Sequence, residues 1–69
     1  MNAAIAYDIL GASAHGVPFA NMIRALQMYS AMNTAEETKR LEAALWVRRN
    51  RKAYDAECAF RRDNRWARR

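Results

Sequence analysis

Between residues 18 and 32 the apolar side chains fall at Phe19, Met22, Ile23, Leu26 and Tyr29, the i, i+3, i+4, i+7, i+10 spacing of one helical face. A second row, Ala25, Met28 and Met32, widens that face. Upstream, Ile5 and Ile9 stand one turn apart with Ala6 and Leu10 beside them, which predicts a short, Ala-rich helix over about 2–14. Gly16 is placed as its C-cap, and Pro18 suits the first position of the next helix because its missing N–H has no partner there. Thr34-Ala35-Glu36-Glu37 is a capping-box sequence that opens a third helix. No Gly or Pro follows it, so one continuous helix over about 35–66 is expected, about 45 Å long at the usual rise per residue. Its packing stripe is read as Leu41, Leu45, Ala53, Ala56, Phe60 and Ala67, with Trp46 at the edge and Arg49 as the one interruption. No strand pattern appears. The chain is expected to be all-α: residues 1–69 form a single helical domain, a short N-terminal helix plus a helical hairpin with a long basic C-terminal helix.

A chain of 69 residues has little interior, and small domains of this kind are usually reinforced by disulfides, a metal or oligomerisation. Cys58 is the only cysteine and His15 the only histidine, too few for an internal disulfide or a structural zinc. Self-association remains, and the predicted form is a homodimeric helical bundle. Its interface is expected at Phe19, Met22, Ile23, Leu26 and Tyr29 on the middle helix and Leu41, Leu45 and Trp46 on the long one.

Charge divides the chain. Residues 1–34 carry only Asp8 and Arg24, whereas 48–69 carry Arg48, Arg49, Arg51, Lys52, Arg61, Arg62, Arg65, Arg68 and Arg69 against Asp55, Glu57 and Asp63. The whole net charge of +5 therefore sits on the C-terminal part, and its target is expected to be acidic. On a helical projection Arg51, Tyr54, Cys58, Arg62, Arg65 and Arg69 form a row opposite the packing stripe. A partner-binding face is predicted at Arg48, Arg51, Lys52, Tyr54, Arg62, Arg65, Trp66 and Arg69, with the two aromatics as anchors. Trp46 and Phe60 are assigned to the core.

Chemistry-bearing patterns are missing from the sequence. It has no Gly-rich phosphate loop, no metal-ligand spacing and no nucleophile with a neighbouring base, so no catalytic residue, cofactor or metal is expected. Ala12-Ser13-Ala14-His15-Gly16 follows the Ala-xxx-Gly turn of a helix-turn-helix, but the helix after it carries only Arg24 as a basic residue, against the chemistry of a recognition helix. The N-terminal apolar stretch has no basic region before it, contains Asp8 and breaks at His15-Gly16-Val17-Pro18, so neither a leader nor a membrane span is read, and a cytoplasmic location is expected.

In size, helical content, charge and lack of catalytic groups the chain resembles the small proteins that phages and mobile elements use to disable host systems, of the anti-CRISPR or anti-quorum-sensing type. The resemblance is of kind and carries no residue over. It implies a non-enzymatic inhibitor that covers an acidic surface of a host protein, such as a transcription regulator or another nucleic-acid-handling complex. The other reading is direct DNA or RNA binding by the same basic helix.

Overall fold

The computed structural model describes residues 1–64, and all of its regular structure is helical, with no strand among the described residues. Asn2 opens the first helix, α1 (Ala3–Leu10), by accepting the Ile5 N–H on its side-chain oxygen at 2.9 Å. The helix stops at Gly11, not at Gly16. Gly11 has φ 70° and ψ −161°, a region nearly closed to residues with a Cβ, and its N–H returns to the Tyr7 carbonyl. A 3₁₀ turn over Gly11–Ser13 follows.

Gly16, also at φ 70°, opens α2 (Gly16–Met28) rather than closing α1. Pro18 consequently sits third in α2, still inside the first turn, where an N–H has no intrahelical acceptor. After α2 a 3₁₀ turn covers Ser30–Met32, and the Asn33 side-chain amide donates to the Leu26 carbonyl at 2.9 Å. α3 (Ala35–Arg49) begins with the capping box read from the sequence: the Glu37 N–H donates to the Thr34 hydroxyl at 3.1 Å, and the Thr34 N–H donates to the Glu37 carboxylate at 3.0 Å. The Thr34 N–H, and then its hydroxyl, hold the Glu37 carboxyl below the usual range.

The long C-terminal helix is broken. Asn50 leaves the helical basin at φ −127°, ψ 45°, and a fourth helix, α4 (Arg51–Asn64), starts one residue later. Two local causes act together. The Asn50 side-chain amide donates to the Trp46 carbonyl at 3.0 Å, competing with the backbone as Asn does in helix interiors. In a straight helix Arg48, Arg49, Arg51 and Lys52 would also form like-charged pairs three and four residues apart.

Tertiary contacts complete the bend. α3 packs against both α1 and α2, and α4 turns to pack on α1. Ala6, Ala43 and Ala44 are fully buried, and such small side chains let the helices approach closely. Phe19, Ile23, Leu26 and Val47 fill the remaining interior, with Tyr54 at 0% exposure the largest fully buried side chain. The row that faces inward is Ala44, Val47, Arg51, Tyr54, Cys58 and Arg61, each three or four residues from the last. The expected stripe holds only in α3: Leu41, Leu45 and edge residue Trp46 are half-buried, whereas Ala53 and Ala56 are exposed, Phe60 is 57% exposed and Ala67 lies outside the described residues. Apolar spacing alone suggested that row; in α4 the hydrogen bonds of Arg51, Tyr54 and Arg61 to carbonyls of α1 and the turn after it select the neighbouring one.

The expected dimer face is likewise engaged within one chain. Phe19, Ile23 and Leu26 are buried, and Met22, Leu41, Leu45 and Trp46 are half-buried against the same core. Tyr29, at 58% exposure, is the exposed one of the eight. Folding α3 over both N-terminal helices covers those seven residues wholly or in part within one chain, while the second row of that face, Ala25, Met28 and Met32, stays exposed beside Tyr29.

Tyr54 anchors this packing, and its hydroxyl donates to the Gly11 carbonyl. Tyr54→Ala is expected to cost about 3–5 kcal/mol of unfolding free energy through the cavity left behind, and Tyr54→Phe about 1–2 kcal/mol through the lost hydrogen bond. Gly11→Ala should cost about 1–3 kcal/mol from backbone strain alone, since nothing lies within 4 Å of the added Cβ. Denaturant unfolding followed by circular dichroism measures all three.

Candidate anion-binding elbow

The bend at Asn50 gathers the chain's densest run of positive charge. Arg48 and Arg49 close α3, where cations complement the helix dipole. Arg51 and Lys52 open α4, where they oppose it, and the first turn of α4 has no acidic residue. Two cations at a helix start, beside two more across a one-residue break, are an arrangement that fold stability does not favour.

Arg51 is the one whose role in the fold is visible. Its Nη1 donates to the Ala14 carbonyl at 2.8 Å and lies 3.3 Å from His15 Nδ1 and 3.6 Å from an Asp55 oxygen. Its guanidinium stands over the Phe19 ring at 5.5 Å and the Tyr54 ring at 6.0 Å. Arg51 thereby ties the loop between α1 and α2 to the start of α4. Arg48, Arg49 and Lys52 are exposed and make no ion pair among the described residues.

Two depressions meet at the elbow. A shallow hollow of about 450 Å³ is lined by the run from Arg48 to Ala53. A groove of about 380 Å³ lies beside it, with Phe19, Ala20, Ile23 and Arg24 of α2 facing Arg48 and Arg51. Arg48 and Arg51 line both, and neither depression has an acidic lining residue. The result is one contiguous basic surface built from three helices.

The remaining predicted partner-binding residues are dispersed. Tyr54 belongs to the core, which corrects its assignment as an exposed anchor: the bend rotates its side of α4 onto α1. Burial pushes the Tyr54 phenol up to about 12, with Cys58 and Tyr7 acting in the same direction and Arg51 opposing them. Arg62 is exposed farther along α4, 3.6 Å from the adjacent Asp63. Arg65, Trp66 and Arg69 lie outside the described residues.

Three residues have roles that the sequence reading did not assign. Arg24 looked isolated on an apolar helix, and Arg49 looked like a break in a packing stripe; the Arg48-Arg49-Asn50-Arg51-Lys52 run was the available signal for the latter. Arg61 counted in the sequence only as one of the C-terminal cations. It clamps α4 to α1, donating from Nε to Glu57 at 2.7 Å, from Nη1 to Asp8 at 2.8 Å and from Nη2 to the Ala4 carbonyl at 3.3 Å, and covering the Tyr7 ring at 4.4 Å. The Glu57 and Asp8 hydrogen bonds raise its pKa further above the ordinary arginine value.

A third concavity, about 570 Å³, brings His15 and Cys58 into one lining with Tyr7, Phe60, Arg61 and Arg62. No acidic side chain lines it to orient the imidazole, and His15 contacts Arg51 through Nδ1. Among the described residues no three His, Cys, Asp or Glu side chains gather as a metal site, and no helix is long and apolar enough to cross a membrane.

The Tyr54 environment sets an alkaline limit on the fold. A phenol whose pKa is raised in the folded state contributes stability in full below its unfolded value near 10, and that contribution is lost as the pH rises toward about 12. Denaturation midpoints should therefore fall above pH about 10, alongside one tyrosinate absorbance step near 12, and Tyr54→Phe should remove that step.

No family model, curated protein or solved structure matches this chain, so the elbow is assigned from its own geometry.

Proposed function

We propose that the protein is a non-enzymatic nucleic-acid-binding protein that holds the phosphate backbone on its basic elbow. One observation carries this reading: Arg48, Arg49 and Lys52 are exposed side by side across a helix break with no acidic partner among the described residues. Phosphate contacts position a nucleic acid without reading its bases, so the expected binding is independent of sequence.

The inhibitor reading uses the same elbow against an acidic protein surface. It relied on desolvated aromatic anchors, and burial of Tyr54 removes one of the two named for that role. Nucleic acid is therefore the better-supported partner, with affinity distributed over several cations.

Fluorescence anisotropy with a labelled duplex tests this directly. Log affinity should fall with log salt at a slope of about −2.7 or steeper, three contacts at about 0.9 each, and be micromolar or weaker at physiological salt. Replacing Arg48, Arg49 and Lys52 together by Gln should flatten the slope by about 2.7 with the helical spectrum unchanged. Equal competition by poly-glutamate of matched charge would instead indicate a carboxylate-bearing protein partner.

A further inference from the structure

We infer that the groove between α2 and the elbow seats one phosphate of the bound backbone, gripped by Arg24 from α2 and Arg48 from α3, with Arg51 of α4 as the third cation. This rests on the nucleic-acid reading above and adds a defined seat on α2 to it. Three guanidinium-bearing residues from three different helices line the same groove, although Arg24 and Arg48 lie far apart in sequence. Folding has brought like charges together: Asp55 stands 3.6 Å from Arg51 Nη1 but does not line the groove, and neither Arg24 nor Arg48 has a carboxylate partner among the described residues. An anion is the missing complement.

The shape of the cluster selects the kind of anion. One guanidinium fork matches the two coplanar oxygens of a carboxylate, whereas a tetrahedral phosphate offers oxygens to several forks approaching from different directions. Arg51 is already held in place: all of its hydrogen-bond and ion-pair contacts among the described residues run through Nη1, and its plane rests near the Phe19 ring. The Nε and Nη2 donors remain for a ligand, at little further cost in rotamer freedom. Exposed Arg24 supplies the opposite wall. It is the one charged residue of α2, on a helix whose other groove-lining side chains are Phe19, Ala20, Ile23 and Gln27.

Inorganic phosphate titrated at low salt into nitrogen-labelled protein tests the seat, read on the arginine Nε–Hε resonances. Those of Arg24, Arg48 and Arg51 should move together and saturate, and Arg24→Gln should abolish saturation while leaving the fold intact. In duplex titrations Arg24→Gln should flatten the salt slope, by at most about 0.9, the share of the one phosphate that Arg24 helps to hold. Lys39→Gln, the same charge change at an exposed position of α3 nearer its start, should flatten it much less. If Arg24→Gln behaves like Lys39→Gln while the Arg48, Arg49 and Lys52 variant still loses binding, the seat is overturned and the elbow reading stands. Absence of duplex binding by the unaltered protein at low salt overturns both.

Discussion

Docking of Tyr54 onto the end of α1 is the contact on which the arrangement depends. The phenol is fully buried, its hydroxyl meets the Gly11 carbonyl, and three residues earlier in α4 Arg51 reaches the Ala14 carbonyl. Both acceptors belong to the connection between α1 and α2, where backbone carbonyls lack helical partners and a buried one is costly to leave unsatisfied. A straight helix continuing α3 would carry these donors past their acceptors. The bend at Asn50 and the satisfaction of that connection are therefore one event, and the glycine at φ 70° that presents the Gly11 carbonyl is part of it.

Arginine serves two opposed purposes in this small protein. Arg51 and Arg61 are half-buried, lie over aromatic rings and donate to backbone carbonyls, acting as clamps that happen to be charged. Arg24, Arg48, Arg49 and Lys52 do nothing visible for the fold, and three of them crowd around the helix break. The clamps bring the free cations together: by fixing the bend, Arg51 fixes the spacing of Arg48, Arg49 and Lys52 and places Arg24 across a groove from Arg48. Fold and proposed function thus meet in one side chain.

The helical character, the Thr34 capping box, the apolar face of α2 and the concentration of charge were legible in the sequence because each depends on residues within a few positions of one another. Asn50 is where local reading failed. A lone Asn between pairs of cations is a weaker stop than Gly or Pro, and the contest between a straight and a bent helix was decided by Gly11 and Ala14, about forty residues away in sequence. Once the helix bends, the inward row passes through Tyr54, Cys58 and Arg61, while Phe60 is left outside.

The sequence by itself determined that this is a helical protein with a strongly basic C-terminal part, since backbone propensity, caps and net charge are local or additive quantities. Which arginines are structural and which are free, and whether Tyr54 faces a partner or the core, were decided only by tertiary structure. Those questions turn on which of two adjacent helical rows packs against α1. Packing rewards the row whose ring fits against Ala-rich α1 and whose polar groups find carbonyls there and in the turn after it, and neither quantity exists until the helices meet.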